Sequence, residues 1–367
     1  MNKQLFFFLV FILFACNPEN KRENTAKIDF SFILDTVHID AGKHLFYLGH
    51  GLPKIKLSDN EQSLYFFDDF NLAFDKIDLE KRKFVLSIPL QKEGPKGIGS
   101  TFDYLPGKEG IIDLLTPKSL FSINENGSLI NEFPTIRSTF NKRADSEFFQ
   151  EAKISNDSLF LYGLTNSKKV KQSLGWINLK DSIYNEVFVD SMAYRKALEI
   201  ELGRLTISGM QEAEYLDNKI IVFHDDGIDF YVLDPISKSW EFHDFQPTIV
   251  PKRKEGKYPK TGANSDVKKI LELERLEINY GKLVYDRVNN LYYRIASKKR
   301  ENQVFGGIPD QFLLVFSKDY KLIHEENLSN LKFSLSTYFV RKGKIWVFNN
   351  EAEELQFLVI DINLTQS

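Results

Sequence analysis

The sequence predicts an all-β fold over residues 28–367, a six-bladed β-propeller, behind a short apolar leader. Three observations carry this expectation. The chain holds 32 Phe and 15 Tyr against only 12 Pro, and aromatic side chains suit a pleated, half-buried surface. A unit of polar turn, apolar strand, second turn and further strand recurs along its length. No Ser/Gly/Pro-rich linker or low-complexity block interrupts the chain after residue 27, so a single domain is expected.

The N-terminus comes first. Asn2-Lys3-Gln4 is a short positive segment, and Leu5 to Phe14 is an unbroken apolar run leading into Ala15-Cys16. That run is about half of the ~20 residues a helix needs to cross a ~30 Å hydrocarbon core. A membrane-anchor helix would have to continue past Cys16, into Asn17-Pro18-Glu19-Asn20-Lys21-Arg22-Glu23-Asn24. The run instead suits the apolar region of a signal peptide over residues 1–15. Leu13-Phe14-Ala15-Cys16 resembles the lipobox of bacterial lipoproteins. The resemblance implies cleavage before Cys16, acylation of its thiol and new amino group, and firm membrane attachment through several acyl chains. Asn17, rather than Asp, points by the same resemblance to the outer membrane. Residues 16–27 are polar and charged, and read as a flexible tether. Cys16 is the only cysteine. It leaves no intramolecular disulfide, and its lipidation would exclude a thiolate metal site or a cysteine nucleophile.

Residues 28–39 form an extra strand ahead of the first unit. In a propeller such a segment completes the last blade and leaves no open sheet edge. The apolar runs that follow polar turns centre on Leu64, Leu159, Ile220, Leu291 and Ile345, with 111–115 and 120–123 filling the first gap. Asp217-Asn218, Asn289-Asn290 and Lys342-Gly343 supply the expected hairpin chemistry. Intervals of 95, 61, 71 and 54 residues separate the runs. With blades of ~40–50 residues, this counts six units, two of them carrying insertions. The alternatives are a pair of β-sandwiches, which would show a linker, and a β-helix, which wants shorter and more regular coils.

The excess length falls between residues 162 and 214 and between 245 and 276. The second insertion contains Pro251-Lys252-Arg253-Lys254-Glu255-Gly256-Lys257-Tyr258-Pro259-Lys260, the most basic stretch of the chain. Residues 266–276 after it read as a short amphipathic helix capped by Asn264 or Ser265, or as an extended run into Ile278-Asn279-Tyr280.

The run Tyr285-Asp286-Arg287-Val288-Asn289-Asn290-Leu291-Tyr292-Tyr293-Arg294 resembles a hallmark segment of a family of Bacteroidota lipoproteins, domain of unknown function 4221. The resemblance covers nearly the whole chain. It implies a lipoprotein signal, this length and repeated strand units. The family has no established activity, so it implies no catalytic residues.

The composition excludes several classes. With 48 basic and 51 acidic residues, a net charge of −3 and both signs interspersed, there is no basic field for nucleic acid. The histidines (His38, His44, His50, His224, His243 and His324) form neither a His-Glu-x-x-His nor a His-x-His pair. No metal or other cofactor is therefore expected. Asp68-Asp69 and Asp225-Asp226 could hold calcium or perform glycosidase chemistry if they faced one cavity. Asn349-Asn350 occupies the equivalent place in the last unit, which favours a turn role. Gly94-Pro95-Lys96-Gly97-Ile98-Gly99-Ser100 lacks the Gly-Lys-Ser/Thr ending of a phosphate loop. Serine nucleophile elbows are absent.

The expected function is accordingly a lipid-anchored envelope protein, a non-catalytic binding or scaffold propeller for a glycan, peptide or protein partner. The alternative is an envelope hydrolase or lyase with its site at the propeller axis, which needs several titratable groups to converge there. The candidate binding residues are Lys252, Arg253, Lys254, Lys257, Tyr258 and Lys260. A locally positive loop carrying an aromatic suits an anionic partner.

Overall fold

A computed structural model of the chain describes residues 28–48, 51–52, 54–91, 103–107, 110–116, 119–134, 152–157, 159–165, 173–301 and 307–366. The expectations about the leader, Cys16, the tether, His50 and the Gly94–Ser100 loop concern residues outside these. Among the described residues, six four-stranded antiparallel sheets follow one another. The first holds Lys56–Leu57, Ser63–Asp68, Ala73–Asp78 and Lys83–Pro89. The second holds Asp103–Pro106, Ile112–Leu115, Ser119–Ile123 and Leu129–Pro134. Lys153–Ile154, Phe160–Thr165, Ser173–Asn178 and Ile183–Phe188 make the third. The fourth consists of Gln211–Leu216, Lys219–His224, Phe230–Leu233 and Trp240–His243. Asn279–Asp286, Leu291–Lys298, Asp310–Ser317 and Leu322–Asn327 make the fifth. The sixth joins Tyr338–Arg341, Lys344–Phe348 and Gln356–Gln366 to the N-terminal strand Ile28–His38. That strand pairs with Gln356–Gln366 over eleven positions, from Ile28↔Gln366 to His38↔Gln356.

The apolar runs are strands buried on both faces, and so they read as continuous apolar stretches. In Lys219–His224, Ile220 and Val222 pack toward the third sheet while Ile221 and Phe223 pack toward the fifth. The period of two thus feeds two cores at once. Six apolar clusters result, one between each consecutive pair of sheets. One of the six lies between the sixth sheet and the first, where Trp346, Phe348 and Phe357 meet Leu64, Phe66 and Ile77. Asp217-Asn218 and Lys342-Gly343 both have positive φ at each central residue, as a two-residue type I′ hairpin turn requires.

The phase of the repeat differs from the sequence expectation by one strand. The runs at Leu64, Phe160, Ile220, Leu291 and Ile345 are second strands, each preceded by a shorter or more polar first strand. Of the first strands of all six sheets, four carry a buried tyrosine: Tyr104, Tyr215, Tyr280 and Tyr338. The Tyr104 hydroxyl donates to the Tyr65 carbonyl of the preceding sheet at 2.9 Å, and Tyr338 donates to the Lys282 carbonyl. Tyr280 donates to the Pro251 carbonyl and Tyr215 to the Asp157 carboxylate, so each hydroxyl finds an acceptor, which removes the cost of burying it. Between the sixth sheet and the first, Arg341 Nε donates to the Glu61 carbonyl at 2.7 Å. Asp40 and Phe84 complete that junction, Phe84 N–H donating to the Asp40 carbonyl at 2.8 Å.

The two long insertions meet. Ile200–Leu202 pairs with Leu205–Ile207 and, in parallel, with Thr261–Gly262, giving a separate three-stranded sheet. Of the two readings open for residues 266–276, the helical one holds: Val267–Glu274 is an α-helix (α1), preceded by a 3₁₀ turn over Asn264–Asp266. The cap is Asp266 rather than Asn264 or Ser265. Its carboxylate is turned back to accept the Ala263 N–H at 3.1 Å, which stabilises the turn before the helix.

Candidate functional site

The inserted segments build a cap on the fourth sheet. Ile200, Leu202, Tyr258 and Ile270 form its apolar core. Tyr258 donates its hydroxyl to the Leu198 carbonyl at 2.9 Å, and Glu201 N–H donates to the Lys260 carbonyl at 2.7 Å. The cap sits on the turn between the second and third strands of the fourth sheet. Ile228 N–H donates to the Lys252 carbonyl at 3.0 Å and Lys254 N–H to the Asp226 carbonyl at 2.8 Å.

A buried polar network lies beneath. Tyr194 donates its hydroxyl to Asp229 Oδ1 at 2.9 Å, which uses its only proton. His224 Nε2, 2.8 Å from the Tyr194 hydroxyl oxygen, is therefore the donor in that contact, and Nδ1 is the unprotonated nitrogen. Burial holds His224 below the usual imidazole range. Burial opposes ionisation of Asp229 as well, but His224 and Tyr194 outweigh it and keep that carboxyl below its ordinary range. Asp226 accepts Arg195 Nε at 3.1 Å and Lys254 Nζ at 3.1 Å. Lys254 also reaches Glu274 of α1 at 2.6 Å. Arg294, fully buried, donates to the carbonyls of Gly281, Gly227, Ile228 and His224. One guanidinium so fastens the fourth sheet's turn to the fifth sheet.

The sequence candidates all belong to this cap, and the structure does not gather them into one exposed cationic face. Lys254 and Tyr258 are buried. Lys252 pairs with Asp244 at 2.6 Å, and Lys257 pairs with Glu255 while standing 73% exposed. Arg253 lies over the Tyr194 ring at 3.8 Å and Lys260 over the Tyr258 ring at 3.4 Å, both cation–π contacts. Asp68 fills the turn role, accepting the backbone N–H groups of Phe70 and Asn71 at 3.0 Å. Asp225-Asp226 is different, because Asp226 serves the cap.

A second site was missed by sequence reasoning. Glu214 of the fourth sheet feels the charges of Lys153 of the third, Lys56 of the first and Lys282 of the fifth. Side chains from sheets so far apart in order meet only if their first strands face a common centre. Lys153 Nζ lies 2.6 Å from Glu214 and 3.8 Å from Glu212, and Lys56 lies 3.2 Å from Asp103. Lys56, Lys153, Glu212 and Glu214 are 16–29% exposed, so solvent reaches them. Despite burial, the lysines hold Glu214 below the usual carboxylate range. The available signal was charge at alternate positions of short strands, as in Glu212 and Glu214. Among the described residues, no group of three His, Cys, Asp or Glu side chains is placed to hold a metal ion. No described helix is long and apolar enough to cross a membrane.

Six stacked sheets around a charged centre define a β-propeller-like protein. The family model for the domain of unknown function DUF4221 matches residues 27–327, and the chain belongs to that family. It is similar to the crystal structure of a DUF4221 member from Bacteroides vulgatus, at 13% identity and a TM-score of 0.67, over 94% of this chain and 100% of that one. A putative exported protein from Bacteroides fragilis is similar at 9% identity and a TM-score of 0.55, over 91% of this chain and 95% of that one. No curated protein matches the sequence.

Proposed function

We propose that the chain is a lipid-anchored envelope protein whose six sheets are the blades of a six-bladed propeller, and that it acts as a non-catalytic binding scaffold. The partner is a glycan, peptide or protein of the envelope, met at the cap. The observation that carries this reading is the joining of two distant insertions into one folded cap with its own core. Sheet packing does not require such a structure, and function collects in segments that the scaffold can spare. At the axis, Lys56 and Lys153 stand at ion-pair distance from Asp103, Glu212 and Glu214. That arrangement neutralises carboxylates rather than setting two of them apart as acid and base, which disfavours the hydrolase or lyase reading.

The anchor rests on the apolar run into Cys16, and similarity to an exported protein agrees with it. Asn17 favours the outer membrane. On this reading Lys252, Arg253 and Lys257 meet an anionic partner, while Lys254, Tyr258 and Lys260 hold the cap's shape. Two experiments test the proposal. Cys16→Ser should release the protein from membranes or block its processing, and a processed, membrane-bound mutant would sink the anchor. Lys252→Ser with Lys257→Ser should weaken partner capture from envelope extracts, with the difference shrinking at high salt. An unchanged partner set on the folded double mutant would remove the cap from recognition.

A further inference from the structure

The cap is fastened to the fourth sheet through buried polar groups that meet around one imidazole. Tyr194, on the 3₁₀ segment Asp190–Leu198, donates to Asp229 and accepts from His224 Nε2. Its neighbour Arg195 donates to Asp226, Gln211 and the Gly209 carbonyl. Arg253 of the second insertion lies over the Tyr194 ring, and Lys254 meets Asp226 and Glu274. The His224 side chain has no exposed surface, and its Nδ1 has no hydrogen-bond partner among the described residues. This arrangement is satisfied only while the imidazole is neutral. A second proton, on Nδ1, would be a buried donor without an acceptor. Burial is the main influence holding His224 below its usual range. Arg195 of the cap and Arg294 of the fifth sheet reinforce it, while Asp229, 3.8 Å from Nε2, opposes it. Of the other carboxyls on this turn, Asp226 is matched by Arg195 and Lys254, and burial raises Asp225 above its ordinary range.

We infer that the cap is a proton-gated lid: it closes on the turn at residues 225–229 while His224 is neutral, and lifts when Nδ1 takes up a proton. Lifting changes three things around the imidazole, all in one direction. Arg195 departs with the cap, and its repulsion of an imidazolium goes with it. Water reaches Nδ1 and accepts the new N–H, which relieves the cost of a buried charge. Asp229 belongs to the sheet and stays, and without Tyr194 its carboxylate is free to pair with the imidazolium. The lifted state therefore holds the proton more tightly than the closed one. By linkage, closure is fully favoured at a pH above the imidazole range of the lifted state. It loses ground as pH falls toward the depressed value of the closed state. Asp225 acts in the opposite sense, since a carboxyl raised by burial gains its proton more readily in the closed state. The gate belongs to the cap's own fold and does not depend on what the cap recognises.

The experiment is amide hydrogen exchange of the folded chain at pH 7 and pH 5, read by mass spectrometry and corrected for the intrinsic pH dependence of exchange. Local opening of the cap is then separated from unfolding of the whole. Residues 200–207 and 254–274 should lose at least about tenfold in protection at the lower pH, while Lys344–Phe348 and Gln356–Gln366 of the sixth sheet keep theirs. His224→Gln retains a donor for Tyr194 but cannot take the proton, so its cap should stay protected at both values. Tyr194→Phe removes the hydroxyl that joins the cap to His224 and Asp229, so its cap should already exchange faster than the wild type's at pH 7. This second variant keeps the inference testable if the glutamine variant misfolds. Four results would overturn the lid. They are equal cap protection of the wild type at both pH values, an acid loss shared by cap and sixth sheet alike, a wild-type response in folded His224→Gln, and wild-type cap protection at pH 7 in Tyr194→Phe.

Discussion

Two residues show how much one buried polar group can organise. Arg294 has no exposed surface and meets four backbone carbonyls, one on the fifth sheet and three on the second strand and following turn of the fourth. Leaving a buried acceptor unmade costs ~1–3 kcal/mol, so Arg294→Met should destabilise the fold by at least ~3 kcal/mol, as read by chemical denaturation. Arg294→Lys should recover little, since one ammonium cannot reach four divergent acceptors. His224 makes a different prediction. It and His243 are both held below the usual imidazole range, chiefly by burial. The unfolded chain takes up protons near pH ~6.5 while the folded imidazoles stay neutral. The stability they contribute is therefore complete above that pH and is lost as pH falls toward the depressed folded values. The thermal midpoint should drop between pH 7 and pH 5, and His224→Gln, which can still donate to Tyr194, should flatten the drop. Asp229, held below its ordinary range by the same network, extends the loss into more acid solution. None of this was legible in the sequence. Arg294 closed a run notable for its aromatics, and His224 was one of six scattered histidines.

At the scale of elements, legibility followed hydrophobicity. Second and third strands such as Lys219–His224 and Asp310–Ser317 are buried on both faces, so their apolar runs stand out. The first strands face the axis with one set of side chains, which puts Lys56, Asp103, Lys153, Glu212 and Lys282 where a strand reading expects apolar residues. Two of these strands are only two residues long. The start of the repeat was therefore placed one strand late. The insertions were found as excess length, but pairing between Leu202 and Gly262, sixty residues apart, leaves no local trace. The cap's cohesion is testable at Leu202, which is fully buried against Ile200, Tyr258 and Ile270. Leu202→Asp places an unpaired charge in that small core. The cap should open while the six sheets hold, so limited trypsin digestion should cut the mutant at Lys252 to Lys269 and spare the same bonds in the wild type. Equal cleavage in both would mean that the two insertions do not fold as one unit.

Among the six four-stranded sheets, chain order and spatial order part company once. Five sheets are each built from one continuous stretch, and the sixth borrows Ile28–His38 from the far end of the chain. This much was readable in the sequence, because an apolar strand before the first repeat has no other partner in a closed set. The pairing does more than cover an edge. Phe30 and Phe32 pack on the cluster between the fifth and sixth sheets, and Val37 belongs to the cluster between the sixth and the first. The chain then continues through Ile39, whose N–H donates to the Leu355 carbonyl, into Asp40, which bonds the first sheet at Arg82 and Phe84. One segment thereby joins both ends of the chain and two of the six interfaces. Deleting residues 28–39 should abolish cooperative unfolding near the wild-type midpoint, since it opens a long sheet edge and uncovers two cores together. A milder variant separates the two effects. Val37→Ala removes methyl groups from the sixth–first interface alone, at ~1–3 kcal/mol for a truncated core side chain, and should lower the midpoint while leaving one cooperative transition. If the deletion melted as the wild type does, the sixth sheet would be stable without its borrowed strand, and the ring would not depend on joining the two ends of the chain.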